Sequence, residues 1–228
     1  MKIKNPLVKG VVKEIKPFIY AAIIPDRYER GMLFCRHQEY YESAIKSIKG
    51  KYISFENFMN TYRKVNKHNS FIYTEDWAGY NIPSHILEKS NNLFYKETEY
   101  DKIMNDIYFY CTIDAQNKNN GTSHKWYLIS AEKETSSLMY HEIAHGLYYT
   151  NKEYYNSCQV LLNDMKPSVY ELVKKKLIKM QYGDDKKIIP DEIQAYLSTG
   201  LYPSMKTKAI EGARKPFIKN FKKFLKTT

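Results

Sequence analysis

The five residues His141-Glu142-Ile143-Ala144-His145 constrain this chain more than any other stretch. On an α-helix, residues four apart project from one face, so His141 and His145 can meet at a common point. The flanks favour a helix packed on a core: Ile143 and Ala144 are apolar or small, Gly146 allows another segment close, and Thr135 or Ser136 supplies an N-cap just upstream. Imidazole suits zinc at about 2.0 to 2.1 Å, and a catalytic zinc takes three protein ligands and leaves a fourth position to water. Glu142, one residue around the helix, then lies beside that water, where a carboxylate takes its proton. A chain with six histidines carries this pattern by chance on the order of once in a hundred.

The motif "HEIAH" resembles the active-site signature of the zincin metallopeptidases. The likeness covers the motif helix and a later helix rather than the whole chain. In the metzincin branch a Gly and a third His follow at fixed places, but Tyr148 and Asn151 stand there. The gluzincin branch takes its third ligand from a Glu on a later helix. The resemblance therefore implies an α+β, zincin-like fold with a Zn2+ cofactor and a peptide or protein substrate. Glu192 in "PDEIQAYLSTG" is the best-placed third ligand: Pro190 suits a first helical position, Gly200 a stop, and small Ala195 close packing. Glu171 in "SVYELVKKKL" and Asp191 are the alternatives, and Glu153 is too near to fold back. The resemblance further implies an edge strand packed on the motif helix, to which an extended substrate adds, and "KWYLISA" (125–131) occupies that place. It also implies a donor for the oxyanion. Tyr148, Tyr149, Tyr182 and Tyr196 are available, with Tyr196 preferred beside the catalytic Glu142.

The remaining pattern predicts one domain over residues 1–228: a sheet-containing half (1–135), then a helical half (136–228). A buried strand is expected over 18–24, a helix over 36–50 ended by Gly50, and a second over 54–66 capped by Ser54. Residues 70–87 read as a short strand running into a loop, with Trp77 and Tyr80 either lining a cleft or packing beneath it. "DIYFYCTID" (106–114) alternates as a half-buried strand and pairs with 125–131 as a long-tipped hairpin. Helices follow at about 152–165, 168–181 and 190–199.

Charge adds a second line of reasoning. The net charge of +11 suggests an acidic partner, yet only five of 36 basic residues are Arg, the side chain suited to bidentate phosphate and base contacts. Residues 203–228 hold eight Lys or Arg against one Glu, with Phe217, Phe221 and Phe224 at helical spacing opposite the lysines. A basic C-terminal helix docked by its aromatic face is expected there. A nucleic-acid backbone or an anionic membrane surface is the other partner such a face would meet, and a basic nucleic-acid- or membrane-associated protein is the competing functional reading. Cys35, Cys111 and Cys158 are odd in number and form no CxxC, which with the lack of a 20-residue apolar run leads to the expectation of a cytoplasmic protein.

Overall fold

Alternation of aliphatic and charged residues at the N-terminus makes an antiparallel hairpin, β1 (Lys2–Asn5) and β2 (Val8–Lys16), which buries Val8 and Val12 and leaves lysines outside. The apolar run that follows forms β3 (Ile19–Ile23). A computed structural model describes residues 1–94, 97–180, 182 and 184–226. The sheet has the order β1-β2-β3-β5-β4, in which β5 (Tyr127–Ala131) runs parallel to β3 and β4 (Tyr80–Pro83) closes the edge antiparallel to β5. Because β3 and β5 are parallel, a long crossover joins them. It carries α1 (Arg27–Glu42), α2 (Phe55–Val65), α3 (Tyr73–Asp76), β4, α4 (Ser84–Leu93) and α5 (Glu99–Lys118).

The sheet is buried on both faces, and period two divides its residues between two cores. Tyr20, Ala22 and Leu128 face α1, α2 and α5. Ile19, Ala21, Tyr127 and Ile129 face α6 (Ser137–Thr150), the motif helix. Gly146 lets α6 settle onto β3, since a Cβ there would press against the Ile19 side chain. After α6 come α7 (Lys152–Asn163), α8 (Pro167–Lys179), α9 (Ile188–Thr199) and α10 (Lys208–Lys226), which pack around Leu162, Val173, Leu197 and Phe217. The fold class is α+β, with a small mixed sheet followed by helices.

Several expectations need correction. Residues 106–114 lie inside the 20-residue helix α5, opened by a capping box between Thr98 and Asp101. Its buried residues, Ile103, Ile107, Cys111 and Ala115, recur every four, whereas Phe109 and Ile113, which completed the apparent alternation, are about half exposed. No hairpin therefore links 106–114 to 125–131, and β5 lies inside the sheet rather than at its edge. The edge strand beside α6 is β4. Helix α1 starts nine residues before the expected 36, because Asp26 accepts from the Glu29 amide as N-cap, and it ends at Glu42, before the turn that places Gly50 at φ +69°. The short strand expected after residue 70 is the single turn α3 followed by β4. Helix α9 starts at Ile188, so Pro190 is its third residue and Glu192 its fifth. Ser136, not Thr135, caps α6. Residue 181 of the helix expected at 168–181, and the last two residues of the C-terminal stretch, lie outside the described residues.

Phe217, Phe221 and Phe224 of α10 are buried, leaving Lys215, Lys219, Lys222 and Lys226 in solvent. The aromatic stripe is committed to the core, so only the lysine face is open to solvent. No helix among the described residues is long and apolar enough to cross a membrane.

Candidate metal centre

Helices α6 and α9 pack against each other, and a buried glutamine locks them. Gln194 Nε2 donates to the Ala144 carbonyl (3.2 Å) and to Asp191 Oδ1 (2.9 Å), while Gln194 Oε1 accepts from the Tyr154 hydroxyl (2.8 Å). Small Ala144 and Ala195 are fully buried, which lets the helices lie close. The result brings His141, His145 and Glu192 together, with one ligand atom from each within 4.8 Å of the others. The two imidazoles meet at Nε2 (3.3 Å), and Glu192 lies 3.6 Å from His145 Nε2 and 3.9 Å from His141 Nε2.

The far side of each ring is held by α9. His145 Nδ1 sits 2.9 Å from Asp191 Oδ1. His141 Nδ1 lies 3.3 Å from Thr199 Oγ1, and the Thr199 hydroxyl already donates to the Ala195 carbonyl, so here it accepts. Both rings thus turn Nε2 toward Glu192 with a polar group of α9 behind Nδ1, the arrangement by which outer partners orient metal-ligating histidines. Tetrahedral binding at 2.0 to 2.1 Å would separate two ligand nitrogens by about 3.3 Å. Glu192 Oε2 is buried with no hydrogen-bond partner, an arrangement costly in the absence of a cation. The residues present therefore fit a divalent metal, and zinc suits a donor set of two imidazoles and one carboxylate.

Electrostatics agree with this geometry. Burial, reinforced by the charge on His145, pushes the His141 pKa well below the ordinary imidazole value, so the ring is neutral. Burial works the same way on His145, but Asp191 and Glu192 outweigh it and raise its pKa well above the ordinary value. Burial raises Glu192 to about 8 and Glu142 to about 7, in both cases against the pull of His145.

Glu142 lies next to the cluster, buried, with Oε2 accepting from Asn81 Nδ2 at 3.1 Å. Asn81 is itself fixed: its Oδ1 accepts from the Tyr127 hydroxyl (2.6 Å) and its backbone amide donates to Gln38 Oε1 (3.0 Å). Gly79 lets the chain run tight past Glu142, since a Cβ there would overlap Glu142 Oε1 and Leu138 Cδ1. The cluster opens on a cleft of about 890 Å³ that includes Trp77, Gly79, Glu142, Tyr182 and Tyr196.

Of the alternative ligands, Asp191 backs His145 instead of facing the cluster, and Glu171 and Glu153 are exposed on α8 and α7. Among the tyrosines, Tyr148 and Tyr149 line a different cavity, where Gln159 donates to one hydroxyl and His85 contacts the other. Tyr182 and Tyr196 both line the cleft with their hydroxyls 2.9 Å apart, and the Tyr196 ring lies 4.5 Å from that of His141. Gln38, Asn81, Gln194 and Thr199 were not singled out from the sequence. Partners from distant segments leave no local pattern. No family model, no curated protein and no solved structure matches the chain.

Proposed function

We propose that this chain is a zinc-dependent metallopeptidase of zincin-like design, with His141, His145 and Glu192 as ligands and Glu142 as general base. One observation carries the reading: two imidazoles, each with a group of α9 close to Nδ1, turn their Nε2 atoms 3.3 Å apart toward the buried carboxylate of Glu192. A zinc ion so held would polarise a substrate carbonyl and lower the pKa of water to about 7. Glu142, itself raised to about 7 and aimed by Asn81, takes a proton from water and returns it to the departing amine. The paired hydroxyls of Tyr182 and Tyr196 offer a donor for the developing oxyanion.

Strand addition takes a different form from the one the resemblance implies. Strand β5 is interior, and the Asn81 amide on β4 is taken by Gln38, so the substrate lies along the segment Trp77–Gly79 that lines the cleft ahead of β4. Elemental analysis and a peptide-hydrolysis assay test the proposal together. About one zinc per chain is expected, lost on replacing either histidine, and Glu142→Ala should keep the metal while cleavage falls by about 10²-fold or more. A purified protein without zinc affinity, or cleavage that survives Glu142→Ala, would overturn it.

A further inference from the structure

Glu42, the last residue of α1, presents a carboxylate to the floor of the cleft. Its position is unfavourable for a negative charge, because the C-terminus of a helix carries the negative end of the dipole. Among the described residues its side chain accepts one hydrogen bond, from Gln38 Nε2 (2.8 Å), and forms no ion pair with a lysine or arginine. Glu42 lines the same cleft as His141, His145, Glu142 and Glu192, on the side of the candidate metal centre. Burial and the nearby Glu192 push its carboxyl well above the usual carboxylate range against the pull of His145, so a cation seated beside it would favour its charged form.

The surroundings of Glu42 are shaped for a cation. A recess of about 40 Å³ shares Glu42, Gln38, Tyr62, Trp77 and Tyr182 with the cleft, and Glu39 lines it as well. The rings are held in place: Trp77 Nε1 donates to the Tyr62 hydroxyl (3.2 Å), which donates to Asp76 (2.7 Å), and Tyr182 packs edge-on against Trp77. Aromatic faces attract an ammonium group, and a carboxylate among them adds the countercharge. The recess has room for a small polar head group such as an ammonium, with its stem in the cleft. The Lys and Arg side chains of the cleft, Arg27, Lys67 and Lys179, stand exposed.

We propose that Glu42 determines specificity, selecting a primary ammonium group on the substrate next to the scissile bond, seated against Tyr62, Trp77 and Tyr182. This inference rests on the metallopeptidase reading. The ammonium comes from a lysine side chain or from a free α-amino terminus, and one peptide series separates the two sources.

The test uses zinc-loaded protein and peptides carrying lysine, norleucine or acetyl-lysine at each position flanking the cleaved bond, each with a free or acetylated N-terminus. The lysine peptide, or the free-amine peptide, should exceed its neutral counterpart in kcat/KM on the order of 30-fold, since a desolvated charge pair is at stake. In Glu42→Gln that ratio should collapse to within about threefold of unity, and Glu42→Lys should favour glutamate in place of lysine. A wild-type ratio near unity, or one unchanged in Glu42→Gln, would overturn the assignment. The lysine against acetyl-lysine comparison needs no variant, so it decides even if Glu42 variants fold poorly. Binding of the same peptides to zinc-loaded Glu142→Gln, measured without turnover, separates the two ideas. Equal affinities there reject the role of Glu42, whereas absent hydrolysis with a retained ammonium preference rejects the peptidase reading alone.

Discussion

The contact between Asp191 and His145 makes the sharpest quantitative prediction, because replacing Asp191 tests the proposed metal site without replacing a proposed ligand. Asp191 Oδ1 lies 2.9 Å from His145 Nδ1 and is steadied by Gln194. It fixes the tautomer and orientation of the ring and increases the basicity of Nε2. Removing such a partner costs typically 10- to 100-fold in metal affinity. Asp191→Asn keeps an acceptor oxygen but loses the charge, so about tenfold weaker binding is expected. Asp191→Ala loses both, and about 100-fold is expected. Free zinc at about 100 times the wild-type Kd stabilises the fold by roughly 2.7 kcal/mol, which for the alanine variant drops to about 0.4 kcal/mol. Competition against a chromophoric chelator measures the affinities, and urea unfolding with and without zinc measures the linked stability. Wild-type zinc affinity in Asp191→Ala would refute the orientation argument, and with it the assignment of His145 Nε2 as the ligand atom.

Three further outcomes follow from other parts of the structure. Without metal, Glu142 and Glu192 have folded-state pKa values raised by burial to about 7 and about 8, so the stability they contribute is complete below the unfolded carboxyl pKa of about 4.3 and is lost as pH rises through those values. Chelated protein should therefore unfold at lower urea at pH 9 than at pH 6, with zinc narrowing the difference, and a flat apo profile would contradict the burial of these groups. At the other end of the molecule, burial alone would raise the Asp101 pKa, but hydrogen bonds from His37, Thr98 and Arg36 hold it down to about 2. Its contribution is present above about 3.9 and lost as pH falls through 2, so Asp101→Asn should cost about 3 kcal/mol at pH 7 by leaving buried Arg36 with Glu97 alone, and should flatten the acid limb of the urea midpoint profile. Finally, Gly79→Ala should displace the Glu142 carboxylate and lower kcat about tenfold or more while zinc content stays at the wild-type level, and unchanged kcat would show that the strand approach does not position Glu142.

What could be read from the residues themselves was local. The spacing of His141 and His145, the intervening Glu142 and the small residues after them fixed a helix with one chemical face, because a helix relates positions three and four apart without help from the rest of the chain. Ser54 and Ser136 as caps and the apolar run of β3 were legible for the same reason. Residues 106–114 were misread because tyrosine has an apolar body and a polar tip, so a four-residue stripe through Ile103, Ile107 and Cys111 passed for alternation.

Tertiary structure alone decided which carboxylate faces the histidines. Asp191 and Glu192 are adjacent in sequence and about 100° apart around α9, so the docking angle set by Gln194 against Ala144 sends one to the back of His145 and the other to the cluster. The same holds for β5, which reads as a strand from its residues but becomes interior only when β4 pairs outside it. It holds also for Glu42, an ordinary glutamate at a helix end until folding carries it to the cleft floor. Local sequence specifies periodicity and caps. Partners drawn from segments 40 to 61 residues away are specified by packing, which no short pattern encodes.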